Sequence, residues 1–216
     1  MRKILFVASH LDSGSDILYK SLNQNPQVQG FKSSDQNVYM HPLSLLSLIN
    51  CRHKLNNSSA IFMDELLLNY CLQIKSVYTT CKFIYVIRDA EPTLNLLVEN
   101  GRFGPVQAQR YYLYRLRRLC EMAKRTPGAV VLNSYDIKHK RGGELITEYL
   151  DLITPFEYGD YELLEPKKIG LLPAPLVQEA DEAFEKYLYF LKNQDLSFNC
   201  TTGASLINQS TPENVL

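Results

Sequence analysis

Ser13, Gly14 and Ser15 stand between the apolar run Ile4 to Ala8 and the amphipathic stretch "DILYKSLNQNPQV". Three small residues at such a corner let main-chain N–H groups converge on one point. A helix starting near Ser15 adds its unpaired amides and the positive end of its dipole, and the two hydroxyls are further donors. That chemistry is anion binding, with Ser13, Gly14, Ser15 and Asp16 as the cradle. A second donor stands farther along, where Arg88 follows the run "FIYVI". Its planar guanidinium suits a two-pronged contact to a phosphate. The alternative for Arg88 is an ion pair with Asp89, Glu91 or another surface acid. Asp12 is the discordant neighbour. A carboxylate about 4 Å from a bound anion costs on the order of 4 kcal/mol at an effective dielectric of about 20. Asp12 is therefore expected to point away, to cap the helix, or to pair with a cation.

The elements that must position these residues are legible as alternating patterns. Short runs rich in β-branched and aromatic residues, Ile4 to Ala8, Phe83 to Ile87 and Ala129 to Leu132, read as buried strands. Helical patterns separate them: one opened by Pro105 and closed by Pro127-Gly128, and others over Pro42 to Asn50, Glu91 to Glu99, Gly143 to Leu150 and Leu176 to Lys192. Ser59 is read as the cap of a further helix over "AIFMDELLLNYCLQIKSVY". Strands alternating with helices of this length imply an α/β fold, a parallel sheet covered on both faces in three layers, because parallel strands need long crossovers. One domain over residues 1–192 is expected, followed by a polar tail over 193–216.

Two familiar phosphate loops do not match the turn. It has one glycine and no following lysine, against the G-x-x-x-x-G-K-[ST] of a P-loop, and it is not G-x-G-x-x-G. Strand, Ser-Gly-Ser, helix and then "NPQV" instead resembles the 5′-phosphosulfate loop of sulfotransferases. "CKFIYVIRDAEPTLNLL" is similar to the segment that reads the donor's 3′-phosphate in that family, a strand ending in Arg, then Asp and a helix. "AVVLNSYDIKHKRGGELITEYLDL" resembles the family's later strand with its Tyr-Glu-Asp-Leu and "yLgl" elements, here Tyr135-Asp136-Ile137 and Tyr149-Leu150-Asp151-Leu152. Together these span Lys3 to Leu152, in the layout of short bacterial, viral or tyrosylprotein-type members, and without the RKGxxG segment of the cytosolic animal enzymes.

The resemblance implies a P-loop-like fold and 3′-phosphoadenosine 5′-phosphosulfate (PAPS) as the donor. Ser13, Gly14, Ser15, Asp16 and Arg88 would hold it, and the sulfuryl group would pass to a hydroxyl of a carbohydrate, lipid, peptide or other small molecule. No metal is expected. The family places Lys or Arg where this chain has Asp12. The family's serine, eight residues after the arginine, falls on Leu96, with Thr93 and Asn95 as nearby polar substitutes; Asn95 is the candidate for that contact. Transfer to a hydroxyl also needs a base within reach of the acceptor. Asp35 and His41 are the candidates, with His53 behind them, in the variable segment Gly30 to Asn57. Two alternatives stand beside the enzyme: a chain of this fold that has lost donor chemistry and acts in binding or assembly, and a phosphoryl-transfer enzyme with a divalent ion bridged by Asp12 or Asp16.

Bulk composition narrows the partners. Lys and Arg total 23, as do Asp and Glu, so the net charge is zero and no global field favours nucleic acid. Arg110, Arg115, Arg117, Arg118, Lys124 and Arg125 spread around one helix at about 100° per residue rather than lining one face; Arg110 and Arg115 are candidates for the cation missing at Asp12. The five cysteines form no CxxC pair and read as reduced core thiols. No apolar run approaches a membrane span, and the N-terminal run is too short for a secretory signal, so a cytoplasmic protein is expected.

Overall fold

The computed structural model of the chain describes residues 4–32, 59–63, 81–167, 170–193 and 197–199. β1 (Ile4–Ser9), β2 (Val28–Lys32), β3 (Ser59–Met63), β4 (Lys82–Ile87), β5 (Val130–Asn133) and β6 (Ser197–Asn199) form one sheet in the order β2-β3-β1-β4-β5-β6. Every pairing in it is parallel. The fold is α/β in three layers, as the alternating pattern implies. β1, β4 and β5 are buried on both faces, which is why they read as unbroken apolar runs rather than as alternations.

Successive residues of each central strand feed opposite layers. Leu5, Val7, Ile84, Val86, Val130 and Leu132 pack on Ile17, Leu18 and Leu22 of α1 (Ser15–Gln24), and on Ile137 of α4 (Ser134–Lys138) and Ile146 of α5 (Gly143–Leu150). Phe6, Ala8, Phe83, Tyr85, Ile87 and Val131 pack on α2 (Ala90–Glu99), α3 (Pro105–Ala123) and α6 (Ala174–Lys192). The chain thus leaves β1 by one face toward β2, and leaves β4 by the other face toward β5. Its paths diverge between two adjacent strands, the place where parallel α/β sheets open a crevice beyond their carboxyl ends.

The local signals behave as expected where they are strongest. α1 stops because Asn25 precedes Pro26 and takes an extended conformation, φ −71° and ψ 126°. α3 opens on Pro105, with the Gly104 N–H donating to Gln107 Oε1 at 3.2 Å.

Three expectations are corrected. Ser59 does not cap a helix: Ser59–Met63 is β3, pairing with β1 and β2. A short apolar run is compatible with either element, and here a vacant place beside β1 decides. Val28, read as the last residue of "NPQV", instead opens a strand, Val28–Lys32, which is β2 and runs into the variable segment Gly30 to Asn57. Within the stretch read as a polar tail, Ser197–Asn199 joins the sheet beside β5. The expected helix over Pro42 to Asn50 lies outside the described residues. Of the cysteines, Cys81 and Cys120 are described and neither is in a disulfide; burial pushes Cys120 up to about 12.

Candidate functional site

The exits of β1 and β4 are joined through a histidine. His10 is buried; its Nδ1 lies 2.9 Å from the Leu11 carbonyl, and its Nε2 accepts the Arg88 main-chain N–H at 3.1 Å. A carbonyl only accepts and an N–H only donates, so the ring is neutral with its proton on Nδ1. Burial lowers its pKa to about 4, with a further push from the Arg115 and Arg88 charges. α3 supports the same two exits. Tyr111 Oη accepts the Leu11 N–H at 3.1 Å, Tyr112 Oη donates to the Arg88 carbonyl at 2.8 Å, and Arg115 Nη2 donates to the Ser9 carbonyl at 3.1 Å. Tyr111 and Tyr112 on that helix are thus supports for the two loops, Tyr114 is exposed, and Arg115 is buried rather than solvated. β5 is tied in through Asn133 Nδ2, 3.4 Å from Asp89 Oδ1.

The turn after β1 has the conformation its residue types allow. Gly14 sits at φ 88° and Asp12 at φ 56°, both left-handed. Gly14 precedes α1 without a side-chain cap, and its carbonyl accepts the Ile17 N–H at 3.0 Å. Ser9 Oγ donates to Ser15 Oγ at 2.8 Å. Ser13 is buried, and its Oγ has no hydrogen-bond partner among the described residues, which leaves a desolvated donor at the cradle. Asp12 does not cap the helix. Its carbonyl faces Arg88, and its Oδ2 lies 3.7 Å from Arg102 Nη1. The cation facing the Asp12 carboxylate is Arg102, while Arg115 is engaged at the Ser9 carbonyl.

Arg88 reaches the turn from β4. Its Nη1 donates to the Asp12 carbonyl at 2.9 Å and to the Leu164 carbonyl at 2.7 Å, while its Nη2 donates to Glu165 Oε2 at 2.6 Å. The residue is 2% exposed. Burial lowers its pKa, and the Glu165, Asp12 and Asp89 carboxylates pull the other way. Of the two readings offered for Arg88, the ion pair is present, and its partner is Glu165. The other carboxylate oxygen, Oε1, accepts from Lys138 Nζ at 2.8 Å.

Glu165 arrives on a segment without regular structure that crosses from one layer to the other. Phe156 and Tyr158 are buried beside α1, and the Gly159 N–H donates to Ser21 Oγ at 3.0 Å. Leu163 then lies over the turn, so close that a Cβ on Gly14 would stand 2.7 Å from Leu163 Cδ1. Beyond Arg88, the Lys167 N–H donates to Glu99 Oε2 at 2.8 Å on α2, and Leu172 is buried in the opposite layer. Neither the Arg88–Glu165 pair nor this crossing has a local sequence signal, since both depend on residues far apart in the chain.

Ser13, Gly14, Ser15, Asp16 and Arg88 thus share one end of the sheet. Asn95 is engaged elsewhere: its Nδ2 donates to the Glu91 carbonyl at 2.9 Å, and its Oδ1 accepts the Leu171 N–H at 3.2 Å. Leu96, at the place of the family serine, is a buried apolar residue. Asp35, His41 and His53 lie outside the described residues. Among the described residues there is no group of three or more His, Cys, Asp or Glu placed to hold a metal ion, and no helix long and apolar enough to cross a membrane.

With this geometry in place, the architecture has a counterpart among solved structures. The chain is similar to the sulfotransferase domain of the olefin synthase from Synechococcus PCC 7002, with a TM-score of 0.53 and 14% identity over 87% of each chain. No protein-family model matches the chain, and no curated protein matches it in sequence. The fold is therefore similar to that of this sulfotransferase domain.

Proposed function

We propose that the protein is a PAPS-dependent sulfotransferase, whose Ser13–Asp16 turn takes the donor's 5′-phosphosulfate and whose Arg88 takes its 3′-phosphate. The observation carrying this reading is the 2.9 Å contact between Arg88 Nη1 and the Asp12 carbonyl. It sets the buried guanidinium beside the turn, past the carboxyl ends of β1 and β4. The residues suit phosphates in one further respect: Ser13 Oγ is a buried donor without a partner among the described residues. Arg102 beside Asp12 offsets the carboxylate that argued against an anion there.

In the reaction so read, an acceptor hydroxyl oxygen attacks the sulfur as the bond from sulfur to the bridging phosphate oxygen breaks. The hydroxyl proton passes to a base, and adenosine 3′,5′-bisphosphate leaves. The turn's amides and hydroxyls stabilise the charge that gathers on the leaving phosphate. Asp35 and His41 are the proposed bases. The acceptor is a hydroxyl compound, and the protein is proposed to work in the cytoplasm.

Adenosine 3′,5′-bisphosphate tests the donor assignment. It should raise the melting temperature of the wild-type protein by several degrees, and Arg88→Ala should abolish the rise. An unmoved wild-type melting curve at saturating nucleotide removes the donor.

A second reading, a binding or assembly protein of the same fold without donor chemistry, is favoured by one contact. Arg88 already has Glu165 as a close carboxylate partner. The phosphoryl-transfer reading gains nothing from Asp12, whose side chain faces Arg102.

A further inference from the structure

Glu165 is the point at which the two readings divide, and its surroundings explain how one chain can carry both features. The carboxylate is held on both oxygens by cations from different elements: Arg88 Nη2 at 2.6 Å from the end of β4, and Lys138 Nζ at 2.8 Å from α4. The guanidinium is buried, whereas the Glu165 side chain is 42% exposed. The acid is therefore the removable partner. A guanidinium and an ammonium that already clasp a two-oxygen anion are the donors a phosphate would also use.

The segment carrying it is lightly anchored. Leu164 is 53% exposed, and Glu162, Glu165 and Lys167 are exposed as well. Its holds on the molecule include Leu163 over Gly14 and against the core beside α1, the Leu164 carbonyl and Glu165 carboxylate on Arg88, the carboxylate on Lys138, and the Lys167 N–H on Glu99. The first two of these sit on the proposed donor-binding residues themselves, and loss of the Glu165 clasp leaves the middle of the span on the Leu164 carbonyl contact to Arg88.

We propose that Arg88 and Lys138 form a two-cation anion site that Glu165 fills as a built-in competitor, making residues 162–167 a strap that a phosphate-bearing ligand must displace. The proposal rests on the donor reading for the identity of that ligand and adds two features to it: Lys138 is a second phosphate contact, and affinity is set by how often the strap is open. A ligand binding the open state has its apparent affinity reduced by the fraction of time the strap is closed, so weakening the clasp tightens binding without adding a contact.

The test titrates the wild-type protein, Glu165→Gln and the double variant Glu165→Gln/Lys138→Met with two probes, adenosine 3′,5′-bisphosphate and inorganic phosphate. Hydrogen-exchange protection of the β1 and β4 amides certifies the fold of each variant, and Glu165→Ala serves as a second release of the clasp. Removing the charge should tighten both probes about tenfold, and Lys138→Met should cancel most of that gain. If the wild type binds the nucleotide and neither Glu165 variant binds either probe more tightly, the strap is wrong and the donor reading stands. If the nucleotide binds no variant while phosphate binds the Glu165 variants more tightly, the anion site stands and the donor reading falls. Failure of both probes on every variant overturns both.

Discussion

His10 Nε2 accepts the main-chain N–H of Arg88 at 3.1 Å, so the residue that leaves β1 fixes the residue that leaves β4. Protonation of His10 at Nε2 removes that acceptor and places a charge in a site walled by Arg88, Arg115 and the Tyr112 ring, 5.4 Å from the imidazole. The folded state holds the pKa near 4 against 6.5 for the free side chain. Between those values the unfolded chain binds more protons than the folded one. The stability from neutral His10 is therefore whole above the unfolded value and is lost as pH falls toward 4. The span corresponds to about 3 kcal/mol at most. Chemical denaturation at a series of pH values should show this loss between pH 6.5 and 4. His10→Gln, which keeps an acceptor for Arg88 without titrating, should flatten it; an equal slope in the variant would assign the loss to other groups.

Tyr112 tests the support beneath the guanidinium. Its buried hydroxyl donates to the Arg88 carbonyl at 2.8 Å, and burial raises its pKa well above the ordinary phenol range. Tyr112→Phe keeps the ring and leaves that carbonyl without its phenolic donor, at a cost of about 1 to 3 kcal/mol. Because Arg88 carries the loss, nucleotide affinity should weaken along with the melting temperature. Tyr85→Phe is the control, since that hydroxyl meets Thr126 Oγ1 at 3.0 Å in the same layer. It should lower stability with no change in affinity.

Gly14 tests the turn and the strap together. Alanine there meets a left-handed φ of 88° and a clash at 2.7 Å with Leu163 Cδ1. Backbone strain alone costs on the order of 1 to 3 kcal/mol. Gly14→Ala should destabilise the protein by that amount or more, and Leu163→Ala in the same chain should recover the steric part but not the strain. A double-mutant cycle on denaturation free energies reads the coupling. Strict additivity would mean that Leu163 does not rest on the turn in solution.

How much of this was legible in the sequence differs between the centre and the rim of the sheet. β1, β4 and β5 are buried on both faces, so "ILFVA", "FIYVI" and "VVL" declare themselves. Gly143–Leu150 and the start of α3 follow from glycine and proline signals of short range. The adjacency of Ser13 and Arg88 followed from topology, because residues just past parallel strands share an edge. β2 and β6 are missed because neither "VQGFK" nor "SFN" is an unbroken apolar run, and β3 because "AIFM" runs on into a helix-like pattern. Within the site, the roles of His10, Tyr111 and Tyr112 depend on contacts across 78, 100 and 24 residues. Glu165 meets Arg88 across 77. No periodicity or motif encodes such pairs. Only the general expectation that a buried guanidinium finds an acid pointed to the last.

The central claim is that the Ser13 turn and Arg88 grip one nucleotide between them. A crystal structure of the protein soaked with adenosine 3′,5′-bisphosphate tests it most directly. The account predicts the 5′-phosphate on the main-chain amides of Ser13 to Asp16 and the 3′-phosphate on the Arg88 guanidinium. Nucleotide at saturating concentration that is absent from the turn, or bound away from Arg88, would contradict it.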